Sequence, residues 1–495
     1  MMEKKLYITT AIPYVNSEPH IGNALDYLLA DIWVRYQKQN GHEVRFQVGT
    51  DEHGNKIAAK AAEAGLDPKS YTDKMYNNFE LFIKKMGISY TDFVRTTDPH
   101  HIGAVQYIWQ TLQPYIYKGV YEGWYCAGCE AFVSDKEATA NNGVCPDHNQ
   151  PYQRLSEENY YLKTSAFTDK VREAINNDEM QIVPEFRKKE FLELMKDGLQ
   201  DVSISRPKKN LSWGISVPGD PEQIMYVWID ALANYITVLG YPDQTGYQEY
   251  WPADVQVIGK DILRFHAGIW PTMLLGLGLA LPKKLLVHGF INVGGAKMSK
   301  TVGNVVDPNQ IIDEYGLDAF RYFFSRHIPT FDDGDFTWEK FENSYNTELA
   351  NDLGNLIQRV SGMVIRYQSG VIGETPQGEH DMDTYHKAIE TLEFNKAIDE
   401  VWLMIRSLNQ YIDNVKPWEI AKNVGKDSEA ESHLNEVLAY AVGALSQIGD
   451  LLVPFLPDTA DKIHKVFQSG SIVATENVLF PKIYKHTLDP NKPKA

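Results

Sequence analysis

Strand-like and helix-like segments alternate from the first residues of this chain, stop near Gly119, and start again about a hundred residues later. Lys4 to Leu66 reads as strand, helix, strand, helix. An apolar run at Leu6 to Ile12 leads to a helical stripe at Leu25, Leu28, Leu29, Ile32, Trp33 and Tyr36, then to a strand from Glu43 to Val48 closed by Gly49-Thr50-Asp51. Helical patterns follow at Ser70 to Met86 and His101 to Lys118. After the break, strand patterning is expected at Tyr226 to Ile229 and Val255 to Ile258, helices from Ala231 and over Ile262 to Leu277, and one apolar strand over Leu285 to Val293. This alternation calls for an α/β fold with a parallel sheet, whose ligands sit beyond the carboxyl ends of the strands.

A chain of 495 residues is too long for one ordinary core. Its expected units are 1–118 and 226–293, the two halves of a sheet domain, the insertion 119–225 between them, a linking region 294–346 and a helical region 347–495. Beyond about Thr347 the strand pattern disappears, and amphipathic stretches at Asn351 to Tyr367, Met382 to Val415 and Ser432 to Leu452 read as a helical bundle.

The insertion holds all three cysteines, spaced Cys126-x2-Cys129-x15-Cys145-x2-His148. Four soft or borderline ligands paired at two-residue gaps match a closed tetrahedral zinc site, structural because no coordination position is left open. An odd number of cysteines in one cluster argues against a disulfide framework and fits a reducing compartment. No apolar run approaches the ~20 residues of a membrane-spanning helix. The charged start runs directly into Tyr7-Ile8-Thr9-Thr10, so a cytoplasmic chain with no membrane partner is expected, with a monomer as its default state. The formal net charge of −18 rules out a general charge-driven grip on nucleic acid. Any RNA contact has to be local.

Two elements carry phosphate chemistry. Pro19-His20-Ile21-Gly22-Asn23 lies between the first strand and the first helix, where free backbone N–H groups and the positive end of a helix dipole suit a phosphate. Lys297-Met298-Ser299-Lys300-Thr301 follows a glycine-bearing turn and offers two ammonium groups for charge that accumulates on a transferring phosphate. Each has an ordinary alternative, a hydrogen-bonding histidine before a helix and a solvated lysine-rich loop. Neither the phosphate loop Gly-x4-Gly-Lys-Ser/Thr nor the three-glycine dinucleotide fingerprint is present.

Together, the His-Ile-Gly element and the Lys-Met-Ser-Lys loop resemble the paired signature of the class I aminoacyl-tRNA synthetases. Four further stretches, Ala11-Ile12-Pro13-Tyr14-Val15-Asn16, Gly49-Thr50-Asp51-Glu52-His53-Gly54, Tyr226 to Leu232 and Gly259 to His266, are similar to the methionyl-tRNA synthetases in family order. The resemblance implies a Rossmann-like catalytic domain, a zinc-bearing insertion and an anticodon-binding bundle. It implies activation of L-methionine by ATP with magnesium, then transfer to tRNA(Met). It assigns His20, Asn23, Lys297 and Lys300 to catalysis, and Gly22, Asp26 and Ser299 with them to ATP. Ala11, Ile12, Tyr14, Trp228, Ala231, Tyr235 and His266 fall to the methionine side chain, and Asp51 to its ammonium group, in keeping with aromatic walls for a thioether and a carboxylate for a cation. Asn355, Arg359 and Trp418 fall to the anticodon, where an amide and a guanidinium can read a base edge and an indole can stack. One departure stands out: Asn23 occupies the place of the family's usual second histidine. Another class I synthetase, an adenylyltransferase sharing the histidine element, and a catalytically silent tRNA-binding paralogue remain open at this point.

Overall fold

The computed structural model describes residues 3–127, 131–146, 149–298, 304–373, 382–472 and 479–486. Its centre is a six-stranded parallel sheet in the spatial order Asp92–Arg95, Glu43–Thr50, Lys5–Thr10, Val255–Gly259, Lys284–His288, Gln181–Val183. Strand order reverses beside Lys5–Thr10, which pairs with Glu43–Thr50 on one side and with Val255–Gly259 on the other. That reversal opens a crevice at the carboxyl ends of the central strands. Runs such as Tyr7-Ile8 and Val257-Ile258 are wholly buried, as a sheet covered on both faces requires.

Several elements differ from the sequence reading. The sixth strand, Gln181–Val183, comes from inside the stretch expected as a separate insertion, so that stretch returns to the main sheet. Three residues are too few for a periodicity to show. Tyr226 to Ile229 is not a strand; the strand is Asp220–Met225, and Val227–Thr237 is a helix. Leu285 to Val293 is two strands, Lys284–His288 in the main sheet and Ile291–Val293 in a small sheet of its own. The break falls at Gly289, where a Cβ would stand 2.3 Å from the Asp332 backbone.

The rest of the insertion combines antiparallel sheet, led by the long pair Ile116–Cys126 and Gln153–Leu162, with helices at Asp135–Ala140, Thr168–Asn176 and Glu185–Leu194. Past residue 347 the described residues are helical, with Asn355–Gln368, Phe394–Val415 and Ala430–Leu452 as the main rods. This bundle is continuous with the core that packs one face of the sheet. A buried ion pair ties it to the site: Arg321 Nη1 lies 2.8 Å from Asp31 on the helix Ile21–Gln39, and Arg321 Nε and Nη2 donate to the Phe455 and Pro454 carbonyls at 2.7 and 2.9 Å. The helix whose amino end carries His20 is thereby fixed in its middle to the turn before the last bundle helix, Pro457–Phe467. Among the described residues no helix is long and apolar enough to cross a membrane.

Candidate active site

The crevice holds a cavity of 450 Å³ lined by Ala11, Ile12, Tyr14, Asp51, Trp228, Ala231, Tyr235 and His266, with His20, Gly22, Asn23 and Asp26 at its other end. All eight residues expected around an amino acid therefore line one space with His20, Gly22 and Asn23 of the first phosphate element. Asp51 ends the strand Glu43–Thr50 and bridges to Tyr14: its N–H donates to the Pro13 carbonyl at 2.9 Å and its carbonyl accepts from Val15 at 3.1 Å. Gly54, with φ 118°, follows because a Cβ there would meet the Tyr14 hydroxyl at 2.0 Å. Trp228 stacks on Phe265, centroids 3.8 Å apart and planes at 12°, so one cavity wall is a doubled aromatic layer.

Two histidine systems define the polar groups. Burial pushes the His266 pKa down to about 4, which leaves the ring neutral near pH 7. His266 Nδ1 lies 3.0 Å from the Ile262 carbonyl and must donate to it, so Nε2 accepts from the Tyr235 hydroxyl at 2.7 Å. Behind the pocket wall, buried Asp230 accepts from His53 Nδ1 at 2.7 Å and from His101 Nε2 at 2.8 Å. Burial alone would raise the Asp230 pKa, but the two imidazoles outweigh it and hold it at about 2. This network fixes the start of the helix Val227–Thr237, where Trp228 and Ala231 flank Asp230.

A second cavity, 840 Å³, adjoins the first through His20, Gly22, Asp261, His288 and Phe290, and reaches Lys297 and Met298. His20 and Lys297, 277 positions apart in sequence, thus line one cleft. His20 caps the helix Ile21–Gln39: its Nδ1 accepts the Gly22 N–H at 3.1 Å, which places the ring proton on Nε2. Asn23 turns its Oδ1 to the His20 N–H at 3.2 Å, so the Nδ2 amide is the end left for the cavity. His288 Nδ1 faces the Gly289 carbonyl at 2.8 Å and Nε2 faces Asp26 Oδ1 at 2.9 Å. Both nitrogens meet acceptors; burial opposes a charge on the ring, but Asp26, with the Gly289 carbonyl and Asp261, outweighs it and raises the pKa. Lys297 Nζ sits over the Phe290 ring, 5.1 Å from its centroid. Ser299 and Lys300 lie outside the described residues.

Sequence reasoning did not single out Asp261, His288 or Phe290. Asp261 stood inside a quoted motif, whereas His288 and Phe290 gave only an apolar strand with a histidine and an aromatic at its end. In the insertion, Cys126 and Cys145 are 1% and 2% exposed and share a small core with Val133, Ala138 and Tyr152, while Cys129 and His148 lie outside the described residues. In the bundle, Arg359 lies 5.9 Å over the Trp418 ring and pairs with Asp413 at 2.5 Å, with Asn355 exposed one turn away on the same helix. These three therefore form one surface.

Comparison with known proteins gives the same picture along the whole chain. The family model "tRNA synthetases class I (M)" matches residues 6–156 and 148–361. The methionine--tRNA ligase of Caldanaerobacter subterraneus is 41% identical over 97% of this chain and 79% of its own length. That of Clostridium tetani is 41% identical over 98% of this chain and 79% of its own. The crystal structure of Mycobacterium tuberculosis methionyl-tRNA synthetase bound by methionyl-adenylate superposes with a TM-score of 0.90 at 33% identity, covering 97% of this chain and all of the other. The apo form of that enzyme gives a TM-score of 0.83 at 29% identity, over 98% of this chain.

Proposed function

The chain belongs to the class I methionyl-tRNA synthetases, and from that premise we propose how its own residues carry out the reaction. The enzyme activates methionine with ATP and transfers it to tRNA. One observation carries the residue assignment: the aromatic pocket and the His20 end of the crevice are a single space that opens into the cleft of Lys297.

The methionine thioether lies against Trp228, Ala231, Tyr235 and His266, with Ala11 and Ile12 closing the near wall. A neutral His266 matters here, since a buried imidazolium beside an uncharged thioether would have no partner. Asp51 takes the ammonium group, which leaves the carboxylate pointing toward His20. That carboxylate is already ionised and needs no side-chain base. Its oxygen forms a bond to the α-phosphorus of ATP while the bond from that phosphorus to the bridging oxygen breaks, and pyrophosphate leaves with the electron pair. His20 Nε2–H, Asn23 Nδ2 and the ammonium groups of Lys297 and Lys300 stabilise the charge that builds on the phosphates. Gly22 and Ser299 complete the nucleotide's cradle, and Asp26 acts through His288. Asp261, on the wall the two cavities share, and Asp26, in the first cavity, would be the oxygen donors for a magnesium ion, which would supply further positive charge to the triphosphate. In the second half-reaction the 2′-hydroxyl of the terminal tRNA ribose attacks the adenylate carbonyl and AMP departs.

Cys126, Cys129, Cys145 and His148 would hold one zinc. The two described cysteines fit that role, since both are buried in one small core with Val133, Ala138 and Tyr152, and the metal would supply a cross-link that so small a core lacks. Asn355, Arg359 and Trp418 are assigned to the anticodon, the paired Arg359 and Trp418 offering a guanidinium edge beside a stacking face. We take the working form to be a cytoplasmic monomer. Methionine-dependent exchange of pyrophosphate into ATP tests the activation step. Exchange with methionine alone among the amino acids is expected; exchange driven by cysteine, or none at all, would overturn the reading.

A further inference from the structure

Strand Ile291–Val293 leaves Phe290 in the cleft, turns at Gly294-Gly295 and returns as Ala296–Lys297, pairing Val293 with Ala296 and Asn292 with Lys297. Both glycines have positive φ, 61° and 78°, as a two-residue type I′ turn requires. No atom lies within 4 Å of a Cβ built on either, so the glycines serve the backbone angle and not space. A two-stranded ribbon this short is not stable by itself, and Lys297 rides on its outer strand.

The ribbon is held by a third strand, Gly334–Phe336, parallel to Ile291–Val293 with Asp335 opposite Asn292. Two carboxylates of this segment grip the two ends of the hairpin. Asp333 Oδ1 accepts the Phe290 N–H at 2.9 Å and pairs with Lys260 at 2.7 Å. Asp335 Oδ1 accepts the Gly295 N–H at 2.7 Å, and its Oδ2 pairs with Lys340 at 2.8 Å. Lys340 and the Gly295 amide together hold the Asp335 carboxyl below its ordinary pKa, so the acceptor is charged and the bond correspondingly strong. Across the ribbon, Asn304 Nδ2 donates to the Lys297 carbonyl at 3.2 Å.

We infer that Asp335 is a positioning residue for methionine activation: by holding the Gly295 amide it sets the tilt of the hairpin and so the place Lys297 takes in the nucleotide cleft. The inference rests on the role proposed for Lys297. Asp335 lines neither cavity of the cleft, and its effect travels through two residues of backbone. A displacement near 1 Å at a reacting group is enough to cost on the order of a hundredfold in rate.

The test is a mutant cycle on the full chain, read by pyrophosphate exchange. Asp335→Ala should lower kcat by about 10- to 100-fold while the KM for methionine stays within about twofold, because the amino-acid pocket is untouched. Asp335→Asn keeps an acceptor at Oδ1 and should recover most of the rate. Lys297→Ala combined with Asp335→Ala should be no slower than Lys297→Ala alone, since the second change acts only through the first. A wild-type rate in Asp335→Ala, or losses that multiply in the double variant, would overturn the inference. If Asp335→Ala does not fold, Asp335→Gln, whose amide cannot reach the same point, takes its place in the cycle. Failure of the underlying Lys297 reading is separate, because Lys297→Ala alone would then keep the wild-type rate.

Discussion

His266 is 2% exposed and is pinned between a carbonyl and a hydroxyl, which makes its proton a measurable part of stability. In the unfolded chain an imidazole titrates near 6.5. In the folded protein burial depresses it to about 4. A depressed folded pKa contributes stability that is whole above the unfolded value and is lost as pH falls from about 6.5 toward about 4, because there the unfolded state binds a proton that the folded state refuses. Between pH 7 and pH 5 this single residue accounts for about 2 kcal/mol of lost stability. His266→Gln keeps an acceptor for Tyr235 and does not titrate, so it removes the proton while retaining the hydrogen bond. Urea unfolding followed by tryptophan fluorescence, with both proteins at both pH values, should show the wild type losing about 2 kcal/mol more than the variant. Equal losses would refute the assignment of a neutral, buried imidazole. The same assignment requires the His266 ring carbon shift to stay flat from pH 8 down to about pH 5, and a midpoint near the ordinary value would sink it by a second route.

Lys297→Ala should slow methionine activation by at least about a hundredfold while leaving methionine binding nearly unchanged, as for a contact made chiefly in the transition state; equal effects on both in pre-steady-state measurements would remove that role. Trp418→Ala should leave pyrophosphate exchange intact and depress tRNA charging, and a variant that charges normally takes Trp418 out of the anticodon site. Asn23→His should speed activation if the amide is the weaker phosphate donor, whereas an unchanged rate means that the capping bond to His20 is all the position requires. Elemental analysis of the purified chain should give one zinc, and Cys126→Ser should lose it together with part of the thermal stability; full metal occupancy in that variant would place the ligand set elsewhere.

What the sequence made legible was the chemistry lying inside contiguous stretches. Tyr14, Asp51, Trp228 and His266 could be named because each stands in a run whose neighbours are equally distinctive, and the cavity does bring them together. The alternation of strand and helix likewise announced a parallel sheet. Short or ambiguous elements were a different matter. Tyr226 to Ile229 is apolar over a span where strand and buried helix look alike, and the edge strand Gln181–Val183 is too brief to carry a pattern. Contacts between distant positions left no trace at all. His288 meets Asp26 across 262 positions, and Asp335 meets Gly295 across 40. His288 and Asp335 are ordinary polar side chains in their own neighbourhoods and acquire a role only when the sheet or the hairpin closes.

A chain with net charge −18 that handles a triphosphate and a tRNA poses an apparent contradiction, which the placement of charge resolves. Many acids near the cleft already have cationic partners: Asp26 with His288, Asp31 with Arg35 and Arg321, Asp333 with Lys260, Asp335 with Lys340. Lys297, by contrast, has no carboxylate within ion-pair distance among the described residues, while Lys56 and Lys85, the latter paired with Asp313 at 2.7 Å, also line the two cavities. At physiological ionic strength, exposed charges farther off than about 8 Å are largely screened, so the excess of acids on the outer surface contributes little to the potential inside the cleft. What the triphosphate meets is a local field set by Lys297 and a helix amino end. Composition therefore excludes a protein that clings to nucleic acid by bulk charge, and it leaves untouched one that binds anions at a few chosen points. The same reasoning assigns different salt dependences to the two half-reactions: activation, governed by contacts within the cleft, should vary little with ionic strength, whereas charging, on the anticodon role proposed for Arg359 and Trp418, should weaken as salt is raised.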